Sequence, residues 1–251
     1  MQTIAVAAHK GGAGKTTIAV NLAGALAATG RRVLVVDCDP QGAVAAALAV
    51  VVEKPTLYEV LSGTAAADAL CSTAVEGLVV LPADLDLAGA EVELPRRAGW
   101  HTVIARALRP LSGHYDVCLL DTAPGLGVLP YAALCAATGV LVACPPSFLS
   151  YRALAQVMET IGRARGAAPE LRLLGIVPTL VSRRSRHERD VLDTLAADHP
   201  GQVLTEIPRR VALEDAQLAG QPIVAYAPGS DAAAAFAQLA EEVMRRASEA
   251  P

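Results

Sequence analysis

Eight residues near the start of the chain constrain its fold more than any others: Lys10-Gly11-Gly12-Ala13-Gly14-Lys15-Thr16-Thr17. An apolar run, residues 3–8, precedes them and reads as a buried strand. An alanine-rich segment, residues 18–29, follows and reads as a helix stopped by Gly30. A strand, a glycine-rich turn and a helix N-terminus together make an anion trap. Small residues let backbone N–H groups converge on phosphate oxygens, and the helix dipole favours the negative charge. In such a loop Gly11, Gly12, Ala13, Gly14 and Thr17 line the cradle. Lys15 reaches the terminal phosphates of a nucleotide, and the Thr16 hydroxyl ligates Mg²⁺.

The loop departs from the standard phosphate-binding pattern, which has Gly five residues before Gly14, where this chain has His9. Lys10 stands instead ahead of paired glycines. The stretch resembles the deviant Walker A box of the ParA/MinD family of dimeric ATPases. That resemblance implies ATP and Mg²⁺ as ligands and a homodimer in which Lys10 reaches across to the partner's nucleotide. Composition adds an independent point. The chain has 18 Arg but only three Lys, at 10, 15 and 54, so two of the three stand in this loop. A compact ammonium suits a phosphate cage better than a planar guanidinium.

A second strand, residues 32–36, ends in Asp37-Cys38-Asp39-Pro40-Gln41. Side chains alternate along a strand, so the two carboxylates point the same way. Beside a Mg-triphosphate such groups hold metal or orient the attacking water; otherwise they make an acidic turn closed by Pro40. Asp-x-Asp-Pro-Gln at this distance from the loop resembles the ParA switch I region, which implies that Asp39 activates the hydrolytic water and Asp37 supports the metal. Residues 117–120 are four apolar residues ending in Asp121, the pattern of a buried parallel strand presenting a carboxylate at the sheet edge where ligands sit. Paired with the loop this is a Walker B strand, with Asp121 holding Mg²⁺ through water. Residues 122–127 resemble switch II, a loop expected to rearrange on hydrolysis.

Further strands are expected at residues 78–82, 139–146, 171–178 and 203–207, and helices at 151–165, 190–198 and 231–247. The glutamates of residues 87–94 read as a solvated helix face. Pro208-Arg209 resembles the family's Ile-Pro-Arg loop, which implies that both lie on the adenine side. In the last helix Phe236, Leu239, Ala240, Val243 and Met244 form one stripe, expected to dock on the sheet.

The densest basic run is Ser182-Arg183-Arg184-Ser185-Arg186-His187-Glu188-Arg189. It suits phosphate contacts without base reading, or a solvated helix entrance. The resemblance favours DNA, since the family's non-specific DNA surface uses an arginine near the start of this helix, matching Arg184, with Arg183 and Arg186 beside it. A second family arginine falls on Ala212, and Arg210 lies two residues away. With a net charge of −4, DNA binding must come from such a local patch.

The expected architecture is one α/β domain over residues 1–251, a twisted, mostly parallel sheet with helices on both faces, with no room before Thr3 for an added DNA-reading domain. The longest apolar run, residues 43–52, is too short to span a membrane, and no signal peptide is evident. The five Cys lack CxxC spacing and read as reduced core residues rather than iron–sulfur ligands. The resemblance implies a cytoplasmic, nucleoid-associated ATP hydrolase that segregates or positions DNA with a ParB-type partner. Three alternatives stand beside it. One is a ParA-like positioner of a protein cargo. Another is a MinD-like ATPase on a membrane, which the ending Ser248-Glu249-Ala250-Pro251 does not equip with an amphipathic tail. The third is a small-molecule kinase or synthetase, which would not need Lys10.

Overall fold

The unbroken apolar runs become strands. The computed structural model describes residues 1–182 and 185–249. In it the strands are β1 (Gln2–Ala7), β2 (Val33–Cys38), β3 (Cys71–Ser72), β4 (Leu78–Leu81), β5 (Val117–Thr122), β6 (Gly139–Cys144) and β7 (Arg172–Pro178). They form one sheet in the order β3-β4-β2-β5-β1-β6-β7. All neighbours run parallel except β3 and β4. β2, β5 and β6 are buried along their whole length, because helices cover both faces and neither side of these strands needs polar residues.

Period-two alternation divides the core into two layers. Ala5, Leu34, Val36, Cys118 and Leu120 face one layer. Ile4, Val6, Val33, Val35 and Leu119 face the other. In chain order the helices are α1 (Lys15–Ala27), α2 (Ala43–Ala47), α3 (Leu57–Ser62), α4 (Ala88–Glu93), α5 (Val103–Leu108), α6 (Val128–Ala136), α7 (Phe148–Arg165), α8 (Arg186–Asp198), α9 (Val211–Leu218), α10 (Ile223–Tyr226) and α11 (Asp231–Ser248). α3 through α7 cover the first layer; α1 and α11 cover the second.

α1 is buried on nearly all sides, and its alanines and Gly24 suit that place. A Cβ on Gly24 would stand 2.3 Å from the Pro222 Cβ, so only glycine lets the segment before α10 approach so closely. Asn21, buried in α1, accepts the Ile223 N–H at 2.6 Å and donates to the Thr17 carbonyl at 2.8 Å. The apolar stripe of α11 docks on the sheet as its spacing requires, with Phe236, Leu239, Ala240 and Val243 buried and Met244 half-buried against the same layer.

One expected strand is different in the structure. Residues 203–207 run extended beside β7 but make only isolated bridges, Ile176 with Val203 and Val181 with Pro208. Pro178 has no N–H to give to the ladder. The Thr205 N–H, on the side away from β7, donates to the Glu242 carboxylate on α11 at 2.9 Å. The ladder breaks at Pro178 and resumes with Ile207 donating to the Pro178 carbonyl.

Candidate functional site

The sheet order brings the carboxyl ends of β1, β2 and β5 side by side, and the loops leaving these three strands carry the candidate residues. In open α/β sheets this edge is where ligands bind. After β1, Gly12 and Gly14 adopt left-handed φ of 71° and 87°, a conformation that side chains disfavour. The chain thereby turns back on itself and enters α1 at Lys15. Lys10, Gly11 and Gly12 are exposed, whereas Ala13 and Lys15 are buried.

The turn is held from behind by a residue that the sequence did not flag. Thr179, buried just past β7, donates its hydroxyl to the Ala13 carbonyl at 2.7 Å. Its Cβ lies 3.5 Å from where a Cβ on Gly14 would stand. Thr122 likewise ties the end of β5 to β1, its hydroxyl donating to the Val6 carbonyl at 2.7 Å.

Lys15 is only 6% exposed. Burial lowers the pKa of its ammonium, opposed by the charges of Asp121 and Asp39. Thr16 donates its hydroxyl to Asp121 Oδ2 at 2.6 Å. Asp121 and Asp37 are paired residues of β5 and β2, and neither is exposed. Burial pushes both carboxyls up, and the Asp121 charge raises Asp37 further. Asp37 accepts the backbone N–H groups of Asp39 and Val44, each at 3.0 Å. Asp121 Oδ1 is buried with no hydrogen-bond partner among the described residues.

Two carboxylates forced together away from water, one with an unused oxygen, are the arrangement that a divalent cation relieves. The donors are all oxygen, which suits Mg²⁺. Mg²⁺ is bound through one or two carboxylates plus substrate phosphates, not in an all-protein cage. No group of three or more His, Cys, Asp or Glu that could hold a metal occurs among the described residues. Asp39 sits half-buried one residue past β2, its Oδ1 accepting the Gln41 N–H at 3.0 Å.

Pro208 and Arg209 are linked to this loop through the segment that follows β7. The Arg209 N–H donates to the Val181 carbonyl at 2.9 Å, two residues from the Thr179 that holds Ala13. Of the basic residues, Arg183 and Arg184 lie outside the described residues. Arg186 opens α8, exposed, 3.8 Å from Asp190. Arg210 is forked onto Asp231, so its charge already has a partner. Glu91 is no part of a solvated face: both its carboxylate oxygens accept N–H groups of the first turn of α6. A lone Glu or Thr carries no signal for such a contact in the sequence.

Fold and site together define a P-loop, nucleotide-binding ATPase. A family model described as "AAA domain" matches residues 1–172, and one described as "4Fe-4S iron sulfur cluster binding proteins, NifH/frxC family" matches residues 115–250. The chromosome-partitioning ATPase Soj of Thermus thermophilus is 42% identical, over 100% of this chain and 98% of its own. The chromosome partitioning protein ParA of Caulobacter vibrioides is 38% identical, over 98% and 95%. A Mycobacterium smegmatis structure titled cobyrinic acid a,c-diamide synthase, with bound ATP analog and magnesium, superposes with a TM-score of 0.84 at 37% identity, over 98% of this chain and 95% of that one. The chain belongs to the ParA/Soj family of partitioning ATPases, within the wider group that the AAA and NifH/frxC models describe.

The residues present do not fit an iron–sulfur cluster, whose irons are held by several thiolates converging on one site. All five cysteines are free. Cys38, Cys118, Cys135 and Cys144 are buried, and burial pushes their thiols up, against thiolate formation. No described helix is long and apolar enough to cross a membrane.

Proposed function

We propose that the chain is a Mg²⁺-dependent ATP hydrolase that dimerises on ATP, binds DNA without reading its sequence, and segregates or positions DNA with a ParB-type partner. The observation that carries this reading is the convergence of buried Lys15, the Thr16–Asp121 pair and Asp39 at one sheet edge, with Lys10 exposed beside them. The names of the Thermus and Caulobacter relatives support chromosome partitioning as the task.

In this reading the backbone of residues 11–17 cradles the phosphates. Lys15 neutralises charge that develops on the terminal phosphoryl group, in a place where little water screens it. Thr16, Asp37 and Asp121 hold Mg²⁺, which when bound neutralises phosphate charge. Asp39 orients the attacking water and accepts its proton. Pro208 and Arg209 flank the base. Lys10 extends to the nucleotide of a second copy. The 251 residues act as one ATPase domain, working in the cytoplasm on the nucleoid.

For DNA the contact set is Arg183, Arg184 and Arg186. Arg210 joins this set, exchanging its exposed ion pair with Asp231 for a phosphate. A protein-cargo positioner would share the ATPase core. A synthase reading takes support from the name of the Mycobacterium protein.

The test is duplex binding over a salt series, with and without ATP. Wild type is expected to bind any sequence, and only with ATP. Arg184→Ala/Arg186→Ala should weaken binding alike on every sequence and flatten the log–log salt slope by about 0.9 for each lost phosphate contact. Unchanged affinity and slope in that variant would contradict the DNA reading and favour a protein cargo, and binding that ignores ATP would contradict its coupling to the nucleotide.

A further inference from the structure

We propose that Glu91 is a positioning residue for hydrolysis, setting the N-terminus of α6 and with it the loop that leads from Asp121 past the phosphate cradle. The inference rests on the reading of Lys15, Asp39 and Asp121 as an ATP-hydrolysing site.

A helix leaves its first N–H groups without intrahelical partners, and the residue before it usually supplies a capping side chain. Before α6 stands Gly127, which has none. The cap comes instead from α4, across the fold. Glu91 Oε2 accepts the Val128 N–H at 3.0 Å, and Oε1 accepts the Leu129 N–H at 3.2 Å. A carboxylate at the positive end of a helix dipole is favourable as well as geometrically satisfied. Gly127 and Glu91 are matched to each other, since a Cβ on Gly127 would stand 3.2 Å from both carboxylate oxygens. The missing side chain is what admits the carboxylate.

The position of this cap matters for the site. Residues 123–127 span the distance between two anchors. At one end Thr122 is tied to the Val6 carbonyl; at the other is the Glu91 cap. Between them Gly125 turns through a left-handed φ of 91°. The Pro124 side chain lies 4.0 Å from where a Cβ on Gly11 would stand. The loop thus begins beside the Thr16–Asp121 pair, passes the open side of Gly11, and ends on Glu91. α4 is itself tied to α3 beside the cap: Glu93, two residues on, accepts from the Tyr58 hydroxyl at 3.0 Å. Releasing the cap shifts the loop relative to Asp121 and Gly11 while leaving Lys15 and the cradle's own backbone as they are. The expected signature is a loss of turnover without a loss of ATP affinity.

The experiment compares wild type, Lys15→Ala, E91A, E91Q and G127A in steady-state ATP turnover and in titration with a fluorescent ATP analogue. Displaced groups near a reacting centre typically cost up to about a hundredfold in rate; E91A should lower kcat by about ten- to a hundredfold. Its ATP-analogue affinity should stay within about twofold of wild type, the pattern of an interaction needed only in the transition state. E91Q keeps one acceptor oxygen and should fall between E91A and wild type. G127A, which crowds the same carboxylate, should copy E91A, and E91A/G127A should be no slower than either alone. Should E91A fail to fold, E91Q and G127A carry the same comparison. Wild-type kcat in E91Q and G127A, or equal losses of affinity and turnover, would overturn this inference alone. Turnover that survives Lys15→Ala would overturn the reading of the site, and this inference with it.

Discussion

Lys15 concentrates the chemistry of the site in one ammonium. It is nearly excluded from water, its charge is opposed by burial, and it lies within the fields of Asp121 and Asp39. Removing it should cost phosphate binding first. Charged donors aimed at reacting oxygens are commonly worth two to three orders of magnitude; Lys15→Ala should therefore lower ATP affinity or turnover by about a hundredfold or more. Calorimetric titration with Mg-ATP and a turnover assay check this, and wild-type values in both would contradict the P-loop role. Asp39 occupies a different place, half-buried past the end of β2, with only a local turn bond to Gln41. Asp39→Ala should bind ATP and lose turnover by about 10²–10⁴, the span of positioned proton acceptors. Loss of ATP binding along with turnover would contradict a purely catalytic role. These residues are legible in the sequence because their chemistry is local: a lysine at the end of a glycine-rich turn, an aspartate at the end of an apolar run. Thr179 and Glu91 are not. Their partners, Ala13 and α6, lie 166 and 37 residues away in the chain, and only the folded sheet brings them together.

Among the elements, the strands and long helices follow from apolar runs and capping signals, with Ser147, Ser185 and Ser230 each accepting an N–H at the start of α7, α8 and α11. The segment after β7 was less legible. Its apolar pattern reads as a strand, but Pro178 has no N–H to give and the ladder breaks there, resuming only at Ile207. The turn leaving β7, which bridges to the end of that segment, carries Thr179, the clamp on the cradle, and Val181, the clamp on Arg209. Thr179→Val keeps the shape and removes the hydroxyl, leaving the Ala13 carbonyl without its donor. An unsatisfied buried acceptor costs about 1–3 kcal/mol, and urea denaturation should show a loss of that size. Nucleotide should bind more weakly too, because the turn that presents its N–H groups is no longer held. Stability and affinity equal to wild type would show that the bond contributes nothing to either.

At the scale of the whole molecule, the sheet order does what no single motif does: it sets the ends of β1, β2 and β5 in one row, with Asp121 between Val6 and Asp37 in register. Lys10 lies outside that arrangement, exposed on the loop. In the proposed dimer, Lys10 neutralises phosphates of the nucleotide held by the second copy. The central claim, that ATP joins two copies through this edge, is tested most directly by the mass in solution of Asp39→Ala with Mg-ATP, measured by light scattering during size exclusion, beside Asp39→Ala/Lys10→Ala. The account predicts a two-chain mass for the first with ATP, a one-chain mass without it, and a one-chain mass for the second in both conditions. A mass that does not change with ATP, or a dimer that forms equally well without Lys10, would contradict it.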